Sequence, residues 1–495
     1  MSSLMKLRAA LVGLLVLSAS LTALGLRPQA SMDPDSSDDE LAAHLDAVLD
    51  RAMSQYSIAG AAAGAIRDGE VVWRARRGRS DGDGAPVTDM TAFNLGSISK
   101  PLTVWTVLRL AQAGRIDLDA PLSDYDLPYT PAYEGHDPQM VTIRRLLRHT
   151  AGTNQPGYGG YGAHEVQPAD VLELSRDFAP LRVVHEPGAA RRYSGGGYVL
   201  LQILVEQVTG QSFDQAARHW LLDPLGMTAS GFDPARLPTV SEAFNYYGRP
   251  IESLRDVAQT AAGGYASAGD IERFLLAHMD GGGVLAPDFL SQALAPTEPH
   301  PGFAMSYTRW ETPDGFLYGH GGNNSTWHGQ IYIRPQTGDG FYFLTNSTSG
   351  AQLDIDLSCA WLSQTGSPAG ETYCGEAFSL THQIAWYSWG FGAAGLFWTY
   401  WLLAGQVADR RYLALQPAGR GPVRLTGRLA LAVLMAGISA FLAWVFWTNS
   451  VIWRTETILI DELPFDELEG LSLTLTFVFA ILALCFWSSP RRSGR

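Results

Sequence analysis

The sequence predicts an α+β domain followed by three membrane-crossing helices. Three observations carry this expectation. Strand-like stretches stand at both ends of a long central segment, with helical runs between them. Three long, uncharged, aromatic-rich runs fill the C-terminal part. The loops around those runs alternate between basic and acidic.

Residues 61–67 and 71–77, joined around Asp68 and Gly69, form an expected hairpin with a tight turn. Residues 330–334 and 340–345 form a second expected strand pair, broken by Pro335, Gly338 and Asp339. Helical runs cover 101–113, ended by Gly114, and 197–208, ended by Gly210. An amphipathic helix is expected over 41–53, after the acidic stretch 33–40. Strands at both ends imply a sheet closed by distant parts of the chain.

Residues 384–404, 429–447 and 471–487 are long enough, or nearly so, to cross a hydrocarbon core of about 30 Å. Arg410, Arg411, Arg420, Arg424 and Arg428 lie between the first two runs, and Arg491, Arg492 and Arg495 follow the third. The intervening loop is mainly acidic, with Asp461, Glu462, Asp466, Glu467 and Glu469. The positive-inside rule puts the basic segments in the cytoplasm and residues of about 32–382 outside. Lys6 and Arg8 followed by the apolar run 9–26 read as a secretory signal or retained anchor, which requires the same side. The expected division is therefore a signal or anchor at 1–30, a soluble domain at 32–366, a linker at 367–383, membrane helices within 384–487, and a cytoplasmic tail at 488–495.

The net charge of −14, with no basic stripe, excludes a nucleic-acid partner. Cys485 lies in an apolar run, whereas Cys359 and Cys374 flank a polar stretch placed outside the cytoplasm. A disulfide there would contribute about 3 kcal/mol, and two unpaired thiols are the alternative. No group of His, Cys or acidic residues has metal-ligand spacing, so neither metal nor cofactor is expected.

Only two lysines occur in the 495 residues, Lys6 and Lys100, while arginine supplies the other positive charges. Arginine serves a solvated surface as well as lysine does, but only lysine can lose its proton when desolvated. Lys100 is therefore a candidate base. In Asn94-Leu-Gly-Ser-Ile-Ser-Lys100 it lies three residues after Ser97 at the start of an expected helix, so the two side chains share a face. A helix start also supplies a backbone N–H for a developing oxyanion.

Around this pair the chain resembles the serine beta-lactamase-related hydrolases, of the class C beta-lactamase and D-aminopeptidase type. Ser97-Ile-Ser-Lys100 matches the nucleophile motif and Leu146-Leu-Arg-His-Thr-Ala-Gly152 a following signature. Tyr193-Ser-Gly195 matches the second catalytic motif, and His320-Gly-Gly322 the third, on an edge strand beside the site. The resemblance runs over residues 41–362 and implies a beta-lactamase/transpeptidase-like fold, an antiparallel sheet with a helical region. It implies that Ser97 is acylated, that a desolvated Lys100 with lowered pKa takes its proton, and that Tyr193 shuttles a proton to the leaving group. The backbone N–H groups of Ser97 and Asn323 would form the oxyanion hole. His320 would orient Tyr193, while Gly321 and Gly322 let substrate lie against the strand. His149 is expected to brace a helix end.

The second motif usually ends in asparagine, and here Gly195 takes that place. Asn323 and Asn324 are the expected substitutes for its amide. This departure and the membrane tail resemble the membrane-bound prodrug-maturation peptidases of the colibactin-peptidase type, in which Asn324 would contact a substrate amide. The expected activity is amide hydrolysis on an acylated or D-amino-acid-containing peptide. A D,D-peptidase, beta-lactamase or esterase of the same fold is the alternative, and a penicillin-recognising membrane sensor the non-enzyme one. The expected partners are a small peptide or acyl-peptide substrate, the lipid bilayer and, through the membrane helices, a second copy of the chain.

Overall fold

Ser37 starts the first helix, α1 (Asp38–Gln55), with a capping box: its hydroxyl accepts the Glu40 N–H, and the Glu40 carboxylate accepts the Ser37 N–H. Asp38, Asp39 and Glu40 complement the positive end of the helix dipole, so the last three residues of the acidic stretch form the first turn rather than preceding the helix. Leu41, Leu45, Val48, Leu49 and Ala52 make one buried stripe at helical spacing.

The structure is a computed structural model. It describes residues 36–365 except 156–159, 163, 246 and 325, together with Cys374, residues 411–413 and residues 488–490. One unit spans Ser31–Cys374, and a second comprises Met1–Ala30 with Gly375–Arg495. The expected signal segment, most of the linker and the three apolar runs lie outside the described residues. No helix among the described residues is long and apolar enough to cross a membrane.

The strands are β1 (Gly60–Arg67), β2 (Glu70–Gly78), β3 (Ala92–Asn94), β4 (Ala243–Phe244), β5 (Pro250–Ile251), β6 (Tyr265–Ser267), β7 (Thr308–Thr312), β8 (Gly315–Asn324), β9 (Trp327–Arg334) and β10 (Asp339–Thr345). Six of them form an antiparallel sheet in the order β2-β1-β10-β9-β8-β7. The expected hairpin is β1–β2, and its turn places Asp68 at φ 52° and Gly69 at φ 79°, both left-handed as a two-residue hairpin turn requires. Distant strands close the sheet, with Ala61 opposite Thr345.

Both faces of the sheet are covered, which explains why β1 is apolar almost throughout. Ala61, Ala63, Ala65, Phe341 and Phe343 pack with α1 and with Leu353, Leu357 and Trp361 from the helical stretch 350–362. The alternate residues Ala62, Ile66, Tyr342 and Leu344 join the larger core, since side chains along a strand point to opposite faces. That core is built on α2 (Ser99–Gln112), α4 (Gly195–Thr209) and α5 (Ala268–Asp280), with the short α3 (Ile143–Leu147) beside α4. Each fully buried Leu or Val adds about 1.5–3 kcal/mol.

Cys359 and Cys374 form a disulfide across a sequence separation of 15. The strand carrying the third motif, expected at the edge, lies one place inside it. β8 is not the edge of the sheet, because β7 lies outside it. The β7 pairing ends at Thr308 opposite Gly319, so from His320 onward β8 has β9 on one side and, among the described residues, no strand on the other.

Candidate active site

Ser97 stands in the turn between β3 and α2. β3 is pinned by pairing with β6, Asn94 opposite Tyr265, and Leu95 N–H donates to the Gly264 carbonyl. Gly96 then turns the chain at φ 48°, a left-handed value that glycine adopts without penalty. A Cβ there would lie 2.8 Å from the Asn323 nitrogen, so this glycine also lets the turn touch β8. Gly322 makes the reciprocal approach, where a Cβ would fall 2.0 Å from the Leu95 carbonyl oxygen. The expected outcome of Gly322→Ala is a loss of roughly 10²-fold in kcat as the turn is pushed from β8. Steady-state kinetics on a variant of unchanged circular dichroism checks this.

The N–H groups around the nucleophile are largely committed. Gly96 donates to Asn94 Oδ1, Ile98 to the Leu95 carbonyl, Ser99 to Gly96 and Lys100 to Ser97. Among the described residues the Ser97 N–H has no such partner, which fits it for an oxyanion. Asn323 is exposed on the open stretch of β8 with its backbone against Gly96. These are the two N–H groups that the sequence nominates as oxyanion donors.

Lys100 is 2% exposed. Its Nζ donates to Ser97 Oγ at 3.1 Å and to the Ala261 carbonyl at 2.7 Å, and it sits 4.7 Å from the centroid of the Tyr193 ring. Serine, lysine and tyrosine thus meet although Tyr193 is remote in sequence. Tyr193 lies just before α4, where Ser194 caps the helix by accepting the Gly197 N–H. Gly195 is the first residue of α4 and carries no amide side chain.

Two histidines hold the tyrosine. His149 follows α3 at φ 59°, an uncommon conformation for a non-glycine residue, and its backbone is tied on both sides by bonds to Leu146 and Arg192. His149 Nδ1 accepts the Ser194 N–H, and its ring lies 4.5 Å from that of Tyr193. It therefore packs against the Tyr193 ring as well as bracing a helix end. Burial holds its pKa well below the usual histidine value, aided by the charges of Arg191 and Lys100. His320 Nδ1–H donates to the Ser306 carbonyl, and its ring centroid is 6.3 Å from that of Tyr193. Burial, then the charge of Lys100, depresses its pKa to about 3, so it is neutral at physiological pH.

Asn324 is not placed as the sequence leads one to expect. Neighbouring strand residues face opposite ways, so Asn323 is exposed whereas Asn324 is buried. The Asn324 Nδ2 group donates to Asp256 Oδ2 at 2.6 Å and to Asn94 Oδ1 at 3.1 Å, which commits its amide nitrogen inside the protein. Nothing in the sequence singles out Asp256. Its residue surface is part-exposed, but its carboxylate is enclosed, and Oδ1 has no partner among the described residues. Burial pushes its pKa up to about 7, against the opposing hydrogen bonds from Asn324 and Asn94. A cavity of about 650 Å³ is lined by Asp256, Glu206, Phe232, Arg236 and Tyr265, among others, but by none of Ser97, Lys100 and Tyr193. No group of three or more potential metal ligands occurs among the described residues.

A buried lysine on a serine hydroxyl, a tyrosine ring against that lysine, and an open strand beside them define a serine hydrolase. Residues 45–361 match the Beta-lactamase family, and the chain belongs to that family. It is similar to Esterase EstB of Burkholderia gladioli, 34% identical over 224 residues that cover 43% of this chain and 56% of the esterase. It is 30% identical over 260 residues to Penicillin-binding protein 4 of Amycolatopsis lactamdurans, covering 50% and 65% of the two chains. The chain thus spans between half and two thirds of the length of these relatives. The solved structure of EstCE1, a hydrolase with promiscuous acyltransferase activity, shares the fold at a TM-score of 0.57 and 23% identity, covering 65% of this chain and 98% of that one.

Proposed function

We propose that this serine hydrolase is a membrane-anchored amidase acting outside the cytoplasm on an acylated or D-amino-acid-containing peptide, of the prodrug-maturation type. Ser97 Oγ attacks the substrate carbonyl as Lys100 takes its proton, and the oxyanion is held by the N–H groups of Ser97 and Asn323. Tyr193 delivers a proton to the leaving nitrogen, and water then hydrolyses the acyl-enzyme.

The observation that carries the substrate reading is the second motif. Gly195 opens α4 where the related hydrolases present an asparagine amide, which disfavours ordinary beta-lactam turnover. The membrane reading rests on the three apolar runs and the loop charges. A short antiparallel pair of β11 (Arg411–Leu413) with β12 (Ser488–Pro490) supports it, since both strands fall in segments assigned to the same side. The Cys359–Cys374 bridge supports an oxidising compartment.

Purified protein is expected to be labelled by a fluorophosphonate, and Ser97→Ala is expected to lose the label. Equal labelling of the alanine variant would remove Ser97 as nucleophile. Mass spectrometry of incubations with N-acyl-D-Asn amides, N-acyl-D-Ala amides, D-Ala-D-Ala peptides and simple esters then sorts the substrate. Cleavage confined to D-Ala-D-Ala ends would replace the maturation reading with a D,D-peptidase.

A further inference from the structure

The Asn94–Asp256–Asn324 cluster joins side chains from three parts of the chain that are far apart in sequence. Asn94 ends β3 and precedes the nucleophile turn, Asp256 belongs to the segment leading to β6, and Asn324 ends β8. Asn94 Oδ1 accepts both the Gly96 N–H at 2.9 Å and the Asn324 Nδ2–H at 3.1 Å. Asp256 Oδ2 accepts the Asn324 amide at 2.6 Å and, more weakly, the Asn94 amide at 3.5 Å. Gly96 immediately precedes Ser97, and Asn323 immediately precedes Asn324. Through the Gly96 N–H on one side and Asn324 itself on the other, the cluster holds the residue next to each of the two prospective oxyanion donors.

We infer that Asp256 is a positioning residue for catalysis: through Asn94 and Asn324 it sets the spacing between the Ser97 and Asn323 N–H groups. This rests on the acyl-enzyme reading above. A carboxylate enclosed with one oxygen unpartnered is a costly way to fasten two loops if only stability is served, and burial has raised its pKa to about 7. The arrangement is understandable where a strong acceptor holds two amides in fixed positions. A donor pair displaced by about 1 Å would lose roughly 10²-fold in rate while leaving ground-state binding largely intact.

The test compares Asp256→Ala, Asp256→Asn, Asn324→Ala and Asp256→Ala/Asn324→Ala in the full-length protein. The assays are fluorophosphonate acylation and steady-state turnover of whichever N-acyl-D-amino-acid amide or simple ester the wild-type protein cleaves in the incubations described above. Asp256→Ala is expected to lower kcat by roughly 10–100-fold with KM within about threefold. Asparagine keeps an acceptor at the same place, so Asp256→Asn is expected to stay within about fivefold of the parent. The double variant is expected to be no worse than the poorer single one, because both remove the same link. Wild-type kcat in Asp256→Ala, a loss confined to KM, an asparagine variant as slow as alanine, or multiplying losses would each overturn the inference. If Asp256→Ala does not fold, Asn324→Ala with Asp256→Asn decides the same question. Ser97→Ala separates the two levels: retained labelling there would defeat the acyl-enzyme reading itself, whatever the Asp256 variants do.

Discussion

Lys100→Arg is expected to be as inactive as Lys100→Ala, each lowering kcat/KM by about 10⁴-fold, the upper end of what losing a general base costs. The reason is chemical. Lys100 Nζ is enclosed between Ser97 Oγ, the Ala261 carbonyl and the Tyr193 ring, a site that accommodates an ammonium and the amine left when it gives up a proton. Guanidinium retains its charge and is planar, so it can neither take the serine proton nor fit the same contacts. Acylation rate with a fluorophosphonate, followed by turnover of any accepted amide or ester, checks both variants. An active arginine variant would show that charge, rather than proton transfer, is what Lys100 contributes.

Tyr193→Phe is the second large effect, an expected loss of roughly 10²–10³-fold in kcat without loss of fold. The aromatic ring supplies the contacts with His149 and Lys100, and phenylalanine keeps the ring. Only the hydroxyl disappears, and among the described residues it has no hydrogen-bond partner to leave stranded. Proton delivery and water activation both suffer, so an acyl-enzyme formed from an activated ester should persist. Intact-protein mass spectrometry during turnover reads its accumulation. A phenylalanine variant that turns over at the parental rate would move the proton shuttle elsewhere.

Local chemistry makes part of this structure legible in advance. Asp68 and Gly69 announce the β1–β2 turn because few residues tolerate two successive left-handed conformations. Gly114 and Gly210 mark the ends of α2 and α4 for a similar reason, with φ of 68° and 69°. The three-residue spacing of Ser97 and Lys100 translates directly into a 3.1 Å contact, since one helical turn fixes it. The orientation of Asn324 is harder to read. Its facing depends on strand parity, which a glycine-rich stretch with no apolar alternation does not display. Asp256 has no local signature at all. It meets Asn94 across 162 residues and Asn324 across 68, and such encounters are created only by tertiary packing. The edge strand β7 is hidden for a related reason: none of its five residues is fully buried, Glu311 is exposed, and they carry no alternating pattern.

Closure of the sheet by β1 and β10 has a consequence for how the chain is made. Ala59 N–H donates to Ser347 Oγ across 288 residues, and the β1–β10 ladder begins beside it. Synthesis at roughly 5–20 residues per second leaves β1 waiting for about 15–60 s before its partner exists. During that interval the apolar strand of alanines has only β2 to pair with, and one of its edges is bare. Long-range pairing of this kind makes folding slow and exposes the chain to aggregation. A nascent chain that cannot complete its sheet until late is also a chain that stays threadable, a delay that export before folding, as the proposed location outside the cytoplasm requires, would turn into an advantage.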